Sequence, residues 1–171
     1  MDRRILSIGF LLAACFLSQL YYPLIAWATL PKADKVVVIK SKRVLILLKD
    51  GEIIKSYKVS LGKNPVGPKA QGGDRKTPEG SYVLDSKKAN SKFYLAIHIS
   101  YPNKSDILNA QKLGVSPGNS IAIHGLPKDF EDIDKFQRRL DWTDGCIALT
   151  NAEMDEIWQL VSEGTPIEIK P

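Results

Sequence analysis

One histidine and one cysteine carry the chemistry that this sequence offers. His124 stands beside Gly125 at the end of an alternating stretch (residues 120–124), and Cys146 follows 22 residues after His124. A nearby imidazole can take the proton of a thiol, and the resulting ion pair keeps the thiolate populated at neutral pH. The pair therefore indicates attack of Cys146 on an amide to give a thioester, with His124 as the base.

The turn that leads into Cys146 suits this reaction. Residues 143–146 read Thr-Asp-Gly-Cys, and Gly145 allows backbone N–H groups to approach a reacting carbonyl closely. Such N–H groups can form an oxyanion hole, which is often the largest electrostatic contribution to acyl transfer. A third group must orient the imidazole. No Asp or Asn suggests itself for this task, and a backbone carbonyl would suffice.

The alternative for Cys146 is a buried, inert side chain that acts as a small hydrophobe. The other cysteine, Cys15, lies in the N-terminal segment, so the domain has no internal disulfide. An unpaired thiol in an oxidising compartment is open to oxidation, which favours a catalytic reason for keeping it. His98 sits in the middle of a predicted strand and is interpreted as a packed or edge histidine. Without ligand spacing these residues predict no metal site.

The N-terminal segment indicates export. Residues 1–4 are Met-Asp-Arg-Arg, and a nearly uninterrupted apolar run covers residues 5–30. Three interpretations stay open: a signal peptide cleaved after Ala28, an uncleaved membrane anchor, or a lipoprotein signal lipidated at Cys15. All three place the rest of the chain in the periplasm or on the outer face of the cytoplasmic membrane. Membrane contact is expected only through residues 1–30.

The composition excludes several classes of protein. Hydrophobic residues make up 44% and charged residues 25% of the 171 residues, which is typical of a globular domain. The formal net charge of +5 is mild and is not gathered into a basic stripe, so nucleic-acid binding is not expected. The length fits one domain preceded by a short extra segment.

Local patterns predict a mostly β domain. The predicted strands cover residues 35–40, 43–48, 52–61, 81–85, 93–100, 120–124 and 166–170. Asp50 and Gly51 predict a tight hairpin turn, because glycine accepts a positive φ. A helix is predicted over residues 105–113, starting at Ser105 or Asp106. The last helix begins at a capping box that starts with Thr150.

Three ordered motifs resemble those of the L,D-transpeptidase (YkuD-type) catalytic domain. Residues 73–80 (Gly-Asp-Arg-Lys-Thr-Pro-Glu-Gly) are similar to the family's Gly-Asp-x-x-Thr-Pro-x-Gly loop. His124 with Gly125 resembles its His-Gly, and residues 143–146 resemble its Ser/Thr-x-Gly-Cys. The resemblance covers about residues 33–170, which are interpreted as the catalytic domain.

The resemblance implies a mainly β, sandwich- or barrel-like fold with two or three short helices. It implies Cys146 as the nucleophile and His124 as the base. Backbone donors would come from Asp144, Gly145 and Cys146 itself. The carbonyl of Gly125 would orient the imidazole. The implied partner is a peptidoglycan stem peptide, cleaved at its meso-diaminopimelate–D-Ala bond, and no cofactor is needed because acyl exchange conserves the energy of the donor amide.

One departure from the family leaves the acceptor open. The family often carries an Arg two residues after the Cys that grips a substrate carboxylate, whereas this chain has Ala148, whose methyl group cannot make that contact. Together with a slightly long spacer before Thr143, this looks like the branch that includes a hydrolase releasing wall-anchored protein from peptidoglycan. The alternatives are a transpeptidase, a hydrolase of cross-links or wall-attached protein, and a non-catalytic wall-binding module.

Other charged and aromatic residues are candidates for contact with the substrate. Arg75, Thr143 and Trp142 are the candidate substrate contacts, although core packing is an equal alternative for Trp142. Arg138 and Arg139 are more typical of a solvated surface. A papain-like or NlpC-type peptidase is disfavoured because those folds place the Cys before the His in the chain.

Overall fold

The computed structural model describes residues 31–127 and 140–171. The N-terminal segment with Cys15 lies outside the described residues, as do Arg138 and Arg139, so the predictions made for them stay predictions. Within the described residues, no helix is long and apolar enough to cross a membrane.

Eight strands form one mixed sheet. They are β1 (Lys35–Ile39), β2 (Val44–Lys49), β3 (Glu52–Lys58), β4 (Gly80–Ser91), β5 (Tyr94–Ile99), β6 (Ala122–His124), β7 (Ile147–Ala148) and β8 (Thr165–Lys170). Their order in the sheet is β3-β2-β1-β8-β4-β5-β6-β7. β1 pairs with β8 and β6 pairs with β7 in parallel, and the other neighbours are antiparallel. The mainly β, curled architecture confirms the predicted fold class.

The opening hairpins follow from their turn residues. Asp50 and Gly51 both have positive φ (52° and 85°) between β2 and β3, as the predicted tight turn requires. Between β1 and β2 the chain makes a 3₁₀ turn over Lys40–Lys42, and Arg43 then takes a left-handed φ of 49°. The predicted two-residue turn at this point is therefore a full 3₁₀ turn.

The hydrophobic core lies inside the curl of the sheet. Alternate side chains of its strands are fully or almost fully buried, as the pleat of a strand requires: Val36, Val38, Leu45, Leu47, Leu84, Ile97, Ile123, Ile147 and Ile167. The short strands β6 and β7 are each anchored to the core by one of these side chains. His124 directly follows Ile123, and Cys146 directly precedes Ile147, so both residues are fixed against the core.

The two edges of the sheet meet near the end of β6. Beyond β3, Ser60 exchanges backbone hydrogen bonds of 3.0 and 2.9 Å with Ala148 of β7. Gly62 forms a further bridge with Thr143. This closure gives the sheet its barrel-like character and places the loop after β3 against the turn that precedes β7.

The described residues contain two α-helices, α1 (Lys104–Lys112) and α2 (Asn151–Leu160). The capping box of Thr150 is confirmed, since Glu153 N–H donates to its hydroxyl over 3.1 Å. The start predicted for α1 is wrong by about two residues. Its cap is Asn103, which forms a reciprocal box with Asp106 (3.0 and 2.9 Å), an Asp standing where Glu or Gln is more usual.

Three strand boundaries differ from the predictions by two residues or more. β4 continues to Ser91 instead of stopping at 85, because pairing with β5 holds a polar segment that lacks a β pattern of its own. β3 ends at Lys58 instead of 61, because the next residues turn away to close the barrel. β6 begins at Ala122, since Ser120 has a left-handed φ of 63°.

Candidate active site

His124 is the last residue of β6 and is buried, with 3% of its surface exposed. Its Nδ1 lies 2.7 Å from the carbonyl oxygen of Gly125. A carbonyl can only accept, so Nδ1 carries the hydrogen and Nε2 is left with its lone pair. Burial lowers the pKa of His124, and the charge of Lys92 lowers it further, although the bond to Gly125 opposes both. The imidazole is therefore a neutral base at physiological pH.

Two aromatic rings hold the imidazole in place. Phe93, at the tip of the β4–β5 hairpin, stacks on it with ring centroids 4.4 Å apart and an interplanar angle of 27°. Trp142 meets it edge-on, with centroids 5.8 Å apart. The contacts and the carbonyl of Gly125 together fix the ring plane, which is the role that a third residue performs in a catalytic triad.

The register of β6 and β7 places Cys146 near His124. Ile123 pairs with Ile147 and His124 pairs with Ala148, so Cys146 stands opposite Ala122. Because side chains alternate along a strand, Cys146 and His124 belong to the same face of the sheet. Within the described residues the thiol donates to the carbonyl of Ser120, over 3.6 Å, and not to the imidazole.

Burial acts on the resting charge of the pair. Burial raises the pKa of the Cys146 thiol, and the nearby Asp144 carboxylate adds to this, whereas a backbone hydrogen bond at Ala122 opposes it. Burial also lowers the pKa of His124, so it disfavours the charged form of both groups. The thiolate–imidazolium pair expected from the sequence is therefore opposed by burial, and it stays a prediction that the reactivity of the thiol tests.

The turn before Cys146 is held by Thr143. The Thr143 hydroxyl donates to the carbonyl of Cys146 over 2.8 Å and accepts from the N–H of Gly145 over 3.1 Å. Thr143 is itself buried, so its hydroxyl supports the turn and does not reach a substrate. The N–H of Gly145 is also occupied. Of the three predicted oxyanion donors, only those of Asp144 and Cys146 lack a hydrogen-bond partner within residues 31–127 and 140–171.

The glycines of the two motifs are required by close packing. A Cβ on Gly145, which has a φ of 129°, would lie 2.6 Å from the carbonyl oxygen of Lys76. A Cβ on Gly125 would lie 2.5 Å from Oδ1 of Asn151, the first residue of α2. Gly145 thus lets the loop before β4 pack on the turn of Cys146, and Gly125 lets the start of α2 pack behind His124.

Among the described residues, one open cleft contains Cys146, and another is lined by Phe93, the residue that stacks on His124. We call the first the thiol cleft, of about 520 Å³, and the second the hairpin cleft, of about 850 Å³. The thiol cleft is lined by Lys69, Gly72, Gly73, Arg75, Gly118, Asn119, Ser120, Ile121, Asp144 and Cys146. The hairpin cleft is lined by Ala89, Asn90, Ser91, Lys92, Phe93, Tyr94 and Pro127.

Charged groups of both signs stand at the thiol cleft. Arg75 and Lys63 each lie 3.8 Å from an Asp144 carboxylate oxygen, and all three side chains are substantially exposed. Lys69 is buried and makes a 2.6 Å ion pair with Asp74. Of the candidate substrate contacts, Arg75 therefore lines a cleft, whereas Trp142 packs on His124 and Phe93.

Buried cations anchor the loop that forms the wall of the thiol cleft. Nζ of Lys40 donates to the carbonyls of Gly67 and Thr77 (2.7 and 2.9 Å) and to the Glu79 carboxylate (2.8 Å). Asp74 accepts from Lys69 and from three backbone N–H groups of the loop. Burial alone would raise the pKa of Asp74, but these hydrogen bonds outweigh it and the pKa is lowered.

The segment before Cys146 has an anchor of its own. Asp141 accepts from the guanidinium of Arg43 over 2.8 and 3.3 Å, and from the N–H of Leu61 over 3.0 Å. Arg43 and Lys40 belong to the same turn between β1 and β2. The sequence does not reveal these supporting residues, because nothing in a turn lysine such as Lys40 indicates that it pairs with Glu79, 39 residues away.

Ala148 and His98 line neither of the two clefts. Ala148 is fully buried, pairs with His124 across β6 and β7, and exchanges backbone hydrogen bonds with Ser60. His98 lies within β5 with its Nδ1 2.7 Å from the Asp85 carboxylate, and 40% of its side chain is exposed. Because β5 lies between β4 and β6 in the sheet, His98 is a packed, partly exposed histidine and not an edge one.

The sequence and the structure were compared with known proteins. A family model for the L,D-transpeptidase catalytic domain (YkuD) matches residues 33–169. YafK of Escherichia coli K12, provisionally named an L,D-transpeptidase, is 34% identical over 131 residues, which are 73% of this chain and 46% of YafK. YqjB of Bacillus subtilis, named in the same provisional way, is 27% identical over 144 residues, which are 82% of this chain and 73% of YqjB.

Solved structures show the same fold. The helical cell shape determining protein Pgp2 of Campylobacter jejuni superposes with a TM-score of 0.62 and 28% identity, over 82% of this chain and 48% of that one (a K307A variant). An L,D-transpeptidase of Xylanimonas cellulosilytica shares the fold, with a TM-score of 0.53 and 16% identity over 81% of this chain and 61% of that one. The chain spans about half the length of YafK and of Pgp2.

Proposed function

The chain belongs to the L,D-transpeptidase (YkuD) catalytic domain family, and from this membership we propose that it is a cysteine acyltransferase acting on peptidoglycan stem peptides. The bond attacked is the diaminopimelate–D-Ala bond of a tetrapeptide stem, and the process served is cell-wall organisation. The observation that carries the proposal is the register of β6 and β7, which puts Cys146 opposite Ala122, on the same face as His124, with the thiol lining an open cleft. Export through residues 1–30 belongs to the proposal, because peptidoglycan lies outside the cytoplasmic membrane.

Acylation begins from a neutral thiol and a neutral imidazole. Sγ of Cys146 attacks the carbonyl carbon of diaminopimelate while its proton passes to Nε2 of His124. The negative charge that develops on the carbonyl oxygen is stabilised by the N–H groups of Cys146 and Asp144. The C–N bond then breaks, His124 returns the proton to the leaving amine of D-Ala, and a thioester remains on Cys146.

Deacylation repeats these steps in reverse with a new nucleophile. An amine of a second stem, or water, gives a proton to Nε2 of His124 and attacks the thioester carbon. The C–S bond breaks and the Cys146 thiol regains the proton. The bond from His124 to the Gly125 carbonyl keeps Nδ1 protonated throughout, so Nε2 alone exchanges protons.

The thiol cleft suits the acyl half of the substrate. The side chain of meso-diaminopimelate ends in a second amino-acid centre, which carries an ammonium and a carboxylate. Asp144 and Arg75 present charges of the matching signs at the rim of the cleft that contains Cys146. Arg75 is accordingly the proposed contact for the carboxylate.

A hydrolase is the second candidate, and one observation favours it. The family's Arg after the catalytic Cys is replaced by Ala148, which is fully buried against the barrel closure. A site without that cation holds an amine acceptor less firmly, and water then competes for the thioester. Cross-links or wall-attached protein would be released by the same acyl-enzyme.

The test uses the purified chain and a Cys146→Ala control. Each is incubated with disaccharide-tetrapeptide, and separately with a wall fraction that carries bound protein, and products are identified by mass spectrometry. We expect a thioester on Cys146 and a cross-linked dimer that has lost one D-Ala, both absent from the control.

The other outcomes separate the alternatives. Free tripeptide or released wall protein without any dimer makes the protein a hydrolase. If no thioester forms and the protein nevertheless sediments with the wall fraction, the wall-binding module replaces the enzyme.

A further inference from the structure

The tip of the β4–β5 hairpin places a cation beside the imidazole. Ser91 and Tyr94 close the hairpin, so Lys92 and Phe93 form its two-residue turn. The Phe93 ring stacks on His124, and Nζ of Lys92 lies over that same ring, 4.9 Å from its centroid. Lys92 therefore stands one aromatic ring away from the group that moves the proton.

The side chain of Lys92 is exposed. Within the described parts of the chain, no Asp or Glu oxygen lies within salt-bridge distance of its Nζ. The two cations that line the thiol cleft differ in this respect, because Lys69 faces Asp74 and Arg75 faces Asp144. The hairpin cleft, which Lys92 lines, thus offers an exposed positive charge for an anionic ligand.

The leaving group of the proposed reaction carries such an anion. His124 must contact the leaving nitrogen, because it returns the proton to it. That nitrogen is the α-amine of a D-amino acid, and the carboxylate carbon is only two bonds away from it. The leaving carboxylate must therefore lie close to His124, the ring on which the hairpin tip packs through Phe93.

We propose that Lys92 binds the carboxylate of the D-amino acid that leaves, and so restricts cleavage to the terminal residue of a stem. The inference rests on the proposed function. The same contact applies to deacylation. The acceptor amine of diaminopimelate is also an α-amine with a carboxylate on the same carbon, so Lys92 can bind that carboxylate too. Water carries no such group, so Lys92 favours transfer over hydrolysis.

The test compares paired substrates that differ only in this charge. Thioester formation is measured with disaccharide-tetrapeptide and with its C-terminal amide, for the unmodified chain and for Lys92→Met. We expect kcat/KM for the carboxylate form to fall by about 10- to 100-fold in Lys92→Met, as for loss of one charge-assisted hydrogen bond. The amide form is expected to be slow in both proteins and unaffected by the substitution.

Two further variants separate recognition from a structural effect. Lys92→Arg keeps the charge and is expected to restore most of the preference for the carboxylate. Lys88→Met removes an exposed lysine from the same hairpin and is expected to change neither substrate. With D-methionine as acceptor, Lys92→Met is also expected to shift the thioester towards hydrolysis, and with D-methioninamide it is not.

The contradicting results are distinct. Equal losses with the carboxylate and amide substrates, or no rescue by Lys92→Arg, overturn the role of Lys92 and leave the acyltransferase in place. If the unmodified chain forms no thioester with either substrate, the proposed function fails and this inference fails with it.

Discussion

The walls of the thiol cleft and of the hairpin cleft are held by different kinds of contact. Around the thiol cleft, ion pairs join residues far apart in the chain: the buried pair of Lys40 with Glu79 and the partly exposed pair of Arg43 with Asp141. The hairpin cleft is built from one local hairpin, whose tip is tied to the site by the stack of Phe93 on His124. The first wall depends on the whole fold, whereas the second depends on neighbouring residues.

This difference matches the two tasks of the site. Attack and charge stabilisation need donors and nucleophile held in fixed positions, which a saturated buried cation such as Lys40 provides. Contact with a leaving group that is later exchanged for an acceptor needs reach and access to solvent, which an exposed lysine on a hairpin tip provides. The thiol cleft therefore holds the reacting groups in fixed positions, whereas the hairpin cleft allows the leaving group to be exchanged for an acceptor.

The reactivity of Cys146 tests whether the thiol at the thiol cleft is neutral at rest. The pKa of Cys146 is raised above its ordinary value of 9.0, so less thiolate is present at any pH below it. We expect alkylation by iodoacetamide to be slow at pH 6 and to rise about tenfold per pH unit, about 1,000-fold between pH 6 and pH 9. The rate is followed by mass spectrometry of the Cys146 peptide.

The pH dependence of acyl transfer also distinguishes a neutral thiol and imidazole from an ion pair. The lowered pKa of His124 keeps the base neutral down to below its ordinary value of 6.5, so acyl transfer should not fall between pH 8 and pH 6.5. Fast alkylation that is independent of pH from 6 to 9 would show a thiolate–imidazolium pair at rest. The neutral mechanism would then be wrong.

The long-range anchoring of the thiol cleft predicts a large effect of Lys40→Met. The substitution leaves the Glu79 carboxylate and two carbonyls of the loop without their partner in a buried site. We expect the free energy of unfolding to fall by about 3–5 kcal/mol, as for a broken buried ion pair. Urea unfolding followed by tryptophan fluorescence measures it.

Lys35→Met is the matched control for this prediction. Lys35 pairs with Glu168 at 2.8 Å, the same distance as in the buried pair, but 44% and 31% of the two side chains are exposed. Water already solvates both charges, so little or no change in stability is expected. Equal effects of the two substitutions would mean that Lys40 does not anchor the loop.

The parts of the molecule that the sequence predicts well are those specified by local chemistry. The Asp50–Gly51 turn, the capping box of Thr150 and the alternating strand that ends at His124 each depend on residues close in the chain. The family motifs likewise placed His124 and Cys146 on elements that the sheet brings together. These patterns need no knowledge of distant partners.

The rest depends on distant contacts or on burial. β4 is longer than predicted because its polar half is held by β5, and the polar pattern of residues 86–91 does not reveal that pairing. The raised pKa of the Cys146 thiol follows from its partial burial in the folded chain, which the residue type does not reveal. The same holds for Gly145, whose N–H was expected to bind an oxyanion and instead bonds the hydroxyl of Thr143.

The smallest predicted effect concerns the local contact of the hairpin cleft. Phe93→Leu removes the ring that stacks on His124 and supports Lys92, but it breaks no long-range ion pair. We expect kcat/KM for thioester formation to fall by about 3- to 10-fold, the scale of one aromatic pair, with little change in the urea midpoint. Stopped-flow or quenched mass spectrometry of the acyl-enzyme gives the rate.

Trp158→Leu is the comparison that makes this last result decisive. Trp158 also has a lysine over its ring, with Lys87 Nζ 4.8 Å from the centroid, but it packs against the core on α2, away from both clefts. Its loss should lower stability and leave kcat/KM unchanged, which is the opposite pattern to Phe93→Leu. If the two variants change stability and kcat/KM in the same way, the hairpin tip acts through stability and not through His124. The two clefts would then not have the separate tasks proposed above.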